Sequence, residues 1–133
     1  MKLLYLMALS LLVLVISCNS TNFTKASSAT EAGREFVDAI LDGNHDKAFF
    51  YLLKDSTNEL LFEQQKSNYH QLSNSDKKNY EESSIVVIDI KPESDSVNIF
   101  RYYHSANPKD TTPLRVVKKQ EEWLVDLKSV IKM

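Results

Sequence analysis

The spacing of apolar residues changes once along this chain, near residue 84, and this change limits the possible folds more than any other feature. Before it, apolar side chains recur three and four residues apart, as on one face of a helix. After it come runs rich in β-branched and aromatic residues, beginning with Ile85-Val-Val-Ile-Asp-Ile90. Helices followed by an antiparallel sheet predict an α+β domain with its helices packed on one face of the sheet.

The first predicted helix begins at a capping box, Ser28-Ala-Thr-Glu31, in which a hydroxyl and a carboxylate satisfy free backbone N–H groups. Ala32, Phe36 and Ala39 follow at helical spacing and form its inner face. Gly43 is placed to end this helix, because glycine tolerates the left-handed backbone conformation.

Two further helices are predicted, giving three in all. The second fits Asn44 to Leu53, and the third begins at a capping box at Ser56 and reaches about Gln71. Leu60 and Leu61 form the expected inner face of the third helix, extended by Phe62 and Tyr69. The polar segment 72–82 is predicted to be a loop with room for one helical turn at Asp76 to Tyr80.

About four strands are predicted in the second half of the chain. They fit Ser84 to Lys91, Val97 to His104, Pro113 to Lys119 and Trp123 to Lys128, and the last two form a hairpin across Gln120-Glu121-Glu122. Two alternating sets are expected to face the helices, namely Val86, Ile88 and Ile90, and Trp123, Val125 and Leu127.

The first 17 residues have the layout of a signal peptide, with Lys2 followed by the apolar run Leu3 to Ile16. The run is too short to span a bilayer. It ends in Val15-Ile16-Ser17-Cys18, which resembles the bacterial lipobox. That resemblance implies cleavage before Cys18 and attachment of acyl chains such as palmitate, and it explains why an exported chain has a single cysteine.

Three segments follow from this interpretation: a leader over 1–17, a lipidated cysteine with a flexible polar tether over 18–27, and one α+β domain over 28–133. Two or three acyl chains would hold the protein on a membrane permanently. A lipid-anchored protein of the bacterial cell envelope is therefore predicted, and Asn19 after the cysteine favours the outer membrane over the inner one. The formal net charge is −2, which argues against a nucleic-acid partner.

The order of these elements resembles a group of small bacterial lipoproteins. The shared features are Ala32, Phe36 and Ala39, then Gly43 and a helix containing Ala48, and finally Leu114-Arg-Val-Val-Lys118 and Trp123-Leu-Val-Asp126. The group is the lumazine-binding-like domain of unknown function, in the nuclear transport factor 2-like (cystatin-like) superfamily. The resemblance spans Ser28 to Lys128 and implies a cone, in which a bent sheet wraps over helices and often encloses a pocket. One departure is Asn44, where the group commonly has an acidic residue.

The chain contains no nucleophile, phosphate-loop or metal-ligand motif, so no catalytic, cofactor-binding or metal-ligating residue is predicted. His45 and His70 are expected at the surface. Enzymes of the superfamily move protons with Asp, His or Tyr inside the cone, and here Asp38, Tyr103 and His104 are the candidates for that role.

Aromatic residues such as Phe36, Phe49, Phe50, Phe100, Tyr102 and Trp123 could line a cavity or simply form the core. The resulting prediction is a non-enzymatic envelope module that binds a partner protein or a small ligand. The alternative is a small acid/base enzyme of the isomerase or cyclase kind with its site inside the cone.

Overall fold

The computed structural model describes residues 22–128 and confirms the predicted α+β class. Its helices precede its strands, and Cys18 and the leader lie outside the described residues. The elements in chain order are α1 (Ala29–Leu41), α2 (His45–Phe50), α3 (Ser56–Gln71), α4 (Asn74–Glu81), β1 (Ile85–Ser94), β2 (Val97–His104), β3 (Thr112–Lys119) and β4 (Glu122–Asp126).

The start of α1 confirms Ser28 as the N-cap, whereas the carboxylate half of the predicted capping box bonds one residue earlier, at Ser27. The Ser28 hydroxyl accepts a hydrogen bond from the Glu31 N–H at 3.1 Å. The Glu31 carboxylate in turn accepts hydrogen bonds from the N–H and hydroxyl of Ser27. Ala32, Phe36 and Ala39 are buried in the core as expected. Helix α1 therefore begins where the sequence predicts and presents the predicted face to the sheet.

Helix α2 is shorter than predicted and ends at Phe50. The chain leaves the helix to form a parallel bridge with the last strand, in which the Leu53 N–H donates to the Val125 carbonyl and the Val125 N–H donates to the Tyr51 carbonyl, both at 2.8 Å. Leu52 is fully buried at this bridge. The backbone hydrogen bonds of β4 thus compete successfully with a further helical turn, and segment 51–53 covers the outer edge of β4.

Helix α3 has the predicted length, but Asp55 rather than Ser56 is its N-cap. The fully buried Asn58 joins this end of the helix to the sheet, because its Oδ1 accepts the Leu127 N–H at 2.8 Å. Phe62 is buried, whereas Leu60 is 61% exposed, so the expectation that Leu60 faces inward is wrong. The N-cap at Asp55 and the hydrogen bond between Asn58 and Leu127 fix the rotation of α3 about its own axis. The sequence pattern does not specify this rotation.

Helix α4 occupies most of the segment predicted to be a loop. Its N-cap is Ser73, whose hydroxyl accepts the Asp76 N–H and donates to the Asp76 carboxylate. None of its residues is buried, although Tyr80 packs against the core from its edge. An amphipathic pattern could not reveal this helix, since Tyr80 is its one large apolar residue.

The four strands form one antiparallel sheet in the order β1-β2-β3-β4. The predicted inward set of β1 is wrong. Val86 pairs with Tyr103 and is 37% exposed, Ile88 is 46% exposed, and a register shift lies between Val87 and Asp89. Ile90 pairs with the buried Phe100 but is itself 37% exposed. Ile85 and Val87 pack against the core instead.

The last hairpin has a turn of two residues, Gln120 and Glu121, with φ values of 49° and 64°. Val125 and Leu127 are buried as predicted, but Trp123 is only half-buried beneath the Lys118 ammonium, which lies 5.8 Å from its ring. Trp123 lies next to the hairpin turn, where the helices do not cover the sheet completely.

The segment before α1 is attached to the domain. The Phe23 ring packs 5.6 Å from that of Phe50, and the Tyr51 hydroxyl donates to the Thr24 carbonyl at 2.6 Å. Lys25 forms an ion pair with Glu122. The part of the predicted tether from Phe23 onward therefore lies against the domain, and residues 18–21 lie outside the described residues. Between residues 22 and 128, no helix has both the length and the apolar character needed to cross a membrane.

Candidate ligand-binding site

A cavity lies between the helices and the inner face of the sheet. It has two adjoining lobes of about 170 and 380 Å³ that share Phe36, Gln65, Tyr102 and Thr112. Helices α1 and α3 form one wall, β2 and β3 form the other, and Tyr80 of α4 closes one end. Ligand sites in proteins are typically concave and mostly apolar, with a few polar groups that orient the ligand.

The apolar part of the lining comes from both walls. It consists of Phe36, Val37, Ile40, Leu41, Leu61, Leu114 and Leu127. Helix α1 can approach the sheet closely because of Gly33, since a Cβ at that position would lie 3.2 Å from the Phe100 ring. The fully buried Phe100 lies against Gly33 and is not part of the lining.

The polar part of the lining consists of amides, hydroxyls and one histidine, without a carboxylate or an ammonium group. Helix α3 contributes Gln64, Gln65 and Asn68, and β3 contributes Thr112. Amide groups both donate and accept hydrogen bonds, so three of them on one helix can match a ligand with carbonyl, amide or hydroxyl groups.

Tyr102 lies where the two lobes meet, directly opposite Thr112 in the sheet. Burial raises the pKa of Tyr102 to about 12, although a hydrogen bond with the Thr112 side chain acts in the opposite direction. At physiological pH this hydroxyl is protonated and is available as a neutral hydrogen-bonding group.

His104 lines the smaller lobe, and the Tyr80 ring packs edge-on against it at 5.3 Å. Its Nδ1 is buried and has no hydrogen-bond partner among the described residues. A bound ligand could supply that partner. The lining of the two lobes includes no carboxylate, so no acid that could pair with His104 is present there.

The other two candidates for proton transfer lie elsewhere. Asp38 is on the exposed side of α1, where partial burial, followed by repulsion from Glu35 and Asp42, raises the pKa of its carboxyl. Tyr103 pairs with Val86 on the outer face of the sheet. The structure therefore does not bring Asp38, Tyr103 and His104 together.

The expectation for His45 is wrong, because this residue is not freely exposed. Both its ring nitrogens are buried without hydrogen-bond partners, and its ring packs against Phe62, Tyr69 and His70. Burial is the main cause of the lowered pKa of His45, and repulsion from His70 adds to it. His70 is exposed as expected. Helix α3 folds back beside α2, and this return brings the two histidines within 5.3 Å.

Sequence analysis missed the amide groups of α3 as site residues. Gln64, Gln65 and Asn68 lie in a polar helix without a clear apolar stripe, so nothing marks one of its faces as inward. Among the aromatic candidates, Phe36 and Tyr102 do line the cavity. Within residues 22–128, no group of three or more His, Cys, Asp or Glu side chains could hold a metal ion.

Comparison with solved structures identifies this architecture. A nuclear transport factor 2-like protein of unknown function from Shewanella oneidensis MR-1 superposes with a TM-score of 0.52. The domain has a nuclear transport factor 2-like fold. The alignment covers 71% of this chain and 88% of the other, at 16% sequence identity. At that identity the likeness establishes the fold alone, and this fold is compatible with a ligand-binding or an enzyme-like module.

No protein-family model matches the chain, and neither does any curated protein. The fold that the sequence resemblance implies is confirmed by this likeness. The narrower resemblance to the lumazine-binding-like lipoproteins stays a prediction.

Proposed function

We propose that this chain is a lipid-anchored protein of the bacterial envelope whose nuclear transport factor 2-like domain binds a small uncharged ligand without catalysing a reaction. The observation that supports this most is the lining of the cavity. Apolar side chains alternate there with the amides of α3 and the hydroxyls of Tyr102 and Thr112, and carboxylates and ammonium groups are absent from the lining.

An uncharged ligand follows from the cost of desolvation. A charged group that enters an apolar cavity loses hydration worth several kcal/mol unless an opposite charge compensates it. The lining contains no carboxylate, ammonium or guanidinium group that could provide such a charge. A partner protein is a less suitable ligand for this site, because lobes of about 170 and 380 Å³ accommodate a small molecule or a single side chain.

The neutral fluorescent probe N-phenyl-1-naphthylamine tests the cavity directly. We expect it to bind the purified protein and gain fluorescence, and its sulfonated analogue to bind more weakly. Gln65→Phe should abolish binding, because position 65 lines both lobes and the larger ring would fill them. Gln71→Phe is the matched control on the same helix, since Gln71 is exposed and outside the lining.

The proposal fails if both variants retain the probe equally, or if the sulfonated analogue binds as well as the neutral one. Circular dichroism of the two variants checks that loss of binding is not loss of fold.

The alternative function is acid/base catalysis, and the position of His104 in the cavity favours it. Against it, a general acid or base is normally held in place by a second polar group, and the buried Nδ1 has no such partner among the described residues. We expect His104→Ala and Asp38→Ala to leave the cellular role of the protein intact. Loss of that role in His104→Ala, with the fold retained, would support catalysis instead.

The anchor is supported by the sequence Val15-Ile16-Ser17-Cys18. In wild-type cells we expect the protein in the membrane fraction, with an intact mass that corresponds to cleavage before Cys18 plus two or three acyl chains. Cys18→Ala should be uncut or soluble, because it lacks the thiol that accepts the lipid. The same acylated mass in both proteins would contradict this.

A further inference from the structure

A second concave surface lies outside the cone, between α2 and α3. This phenylalanine groove has a volume of about 470 Å³ and is lined by Phe23, Phe49, Phe50 and Phe62. Phe23 packs on Phe50 with their ring centroids 5.6 Å apart, and Phe49 packs on Phe62 at 5.5 Å. Phe49 is nonetheless 37% exposed. Because Phe62 is only 2% exposed, the other three rings form most of the apolar surface that the groove presents to water.

The charges at the rim of the phenylalanine groove balance. Asp46 and Glu63 oppose Lys54 and Lys66. The Lys54 ammonium already has partners within the domain. It lies 5.1 Å from the Phe49 ring and donates hydrogen bonds to the carbonyls of Phe50 and Leu52 at 3.1 Å each. Whatever covers this groove is therefore held by apolar contact rather than by an opposite net charge.

His45 lines the same groove and has no polar partner for either ring nitrogen among the described residues. Because burial lowers the pKa of His45, its imidazole is neutral at physiological pH. His45 therefore adds no charge to the groove, and the charged side chains of the groove lie at its rim.

The phenylalanine groove also lies where the chain leaves the domain toward Cys18. Phe23 is one of its walls, and the contacts of Phe23, Thr24 and Lys25 fix the chain from that point onward. Five residue steps separate Phe23 from Cys18, and a fully extended chain of that length reaches at most about 18 Å. If Cys18 carries the lipid, as proposed above, the groove stays close to the membrane surface.

We propose that the phenylalanine groove is the face on which the domain rests on the lipid bilayer. The exposed edges of Phe49 and Phe50 enter the interfacial region of the membrane, where aromatic side chains are favoured. The short connection to Cys18 reduces the cost of this contact, because the domain is already held at the surface. This inference rests on the proposed lipid anchor.

Tryptophan placed in the groove reports the contact. Phe49→Trp is introduced in a Trp123→Phe background, and the full chain is reconstituted in phosphatidylethanolamine–phosphatidylglycerol vesicles whose acyl chains carry bromine. Bromine quenches a nearby indole, so most of the emission should be lost relative to unbrominated vesicles. Ile88→Trp in the same background is the matched control, because Ile88 is exposed on β1 at the opposite edge of the sheet, and it should keep its emission.

Equal quenching of the two variants, or none at position 49, would overturn the proposal. Quenching at position 49 that disappears in high salt would also overturn it, because an apolar contact survives screening. Glu63→Trp provides a second reporter on the groove rim if Phe49→Trp does not fold.

A separate experiment covers the case in which the proposed lipid anchor is absent. If the purified chain carries no lipid, its free Cys18 thiol is coupled to a maleimide lipid in the same vesicles, and the quenching measurement is repeated. Quenching at position 49 then supports the docking face although the natural anchor is refuted, and its absence rejects the docking face.

Discussion

Gly43 shows how much a single residue can determine here. Its φ of +69° lies in the left-handed region, as the sequence predicts for a glycine that ends a helix. The structure adds a second requirement, because a Cβ at this position would lie 2.5 Å from the Tyr69 hydroxyl. The first requirement is local and can be predicted, whereas the second depends on the return of α3 and cannot.

Gly43→Ala should therefore lower the free energy of unfolding by more than the backbone term of about 1–2 kcal/mol. The additional loss comes from displacement of Tyr69 and should be smaller in a Tyr69→Ala background. Urea denaturation of the four proteins of this double-mutant cycle measures both parts. An equal loss of stability from Gly43→Ala in the wild-type and Tyr69→Ala backgrounds would show that the close approach to Tyr69 costs nothing.

At the scale of whole elements, sequence patterns succeed where one face is apolar and local capping agrees with it. Helix α1 satisfies both conditions and was predicted correctly. The predicted orientation of strand β1 is wrong because Ile85, Val86, Val87 and Ile88 are all β-branched, so this run does not show which alternate set of side chains faces inward. Helix α4 was not predicted because it has an N-cap but almost no apolar face.

The turn between β3 and β4 is an element whose sequence does not suit its geometry. Positive φ at both Gln120 and Glu121 is the pattern of a type I′ turn, which favours Asn followed by Gly. The double variant Gln120→Asn, Glu121→Gly should raise the free energy of unfolding by roughly 1 kcal/mol or more, because it relieves two strained residues.

The ion pair of Glu121 with Lys118 is lost in this variant, but Glu121 is exposed and such pairs contribute little. Thermal and urea denaturation test the expected gain. The reverse order, Gln120→Gly with Glu121→Asn, provides a control of equal composition and should gain less. No gain in either protein would contradict the assignment of strain to this turn.

For the whole molecule, the α+β class, three of the four helices and the four-stranded antiparallel sheet could be predicted, whereas α4 was missed and the site could be predicted only in part. Phe36 and Tyr102 belong to apolar or alternating patterns and were identifiable as inward candidates. Gln64, Gln65 and Asn68 reach the cavity because the bond from Asn58 to the Leu127 backbone sets the rotation of α3 over the sheet. That bond joins residues 69 positions apart, and no local pattern encodes it.

The cavity also affects the stability of the whole domain through Tyr102. In the unfolded chain this tyrosine ionises near pH 10, whereas burial in the folded domain raises its pKa to about 12. Between these values the unfolded chain releases a proton that the folded domain retains. The free energy of unfolding is therefore highest below pH 10 and falls as the pH rises toward 12, by roughly 2–3 kcal/mol from this residue alone.

Tyr102→Phe should remove the contribution of Tyr102 to the loss of stability at alkaline pH. The contribution of other groups should remain. Urea denaturation of both proteins at about pH 9 and about pH 11 measures the difference, and the wild type should lose roughly 1 kcal/mol more than the variant across that interval. If a ligand fills the cavity and forms a hydrogen bond with the neutral hydroxyl, the free energy of unfolding of the wild type should begin to fall at a higher pH. Equal losses in the two proteins would mean that the Tyr102 hydroxyl is in contact with water, and the cavity would then be too open to select an uncharged ligand.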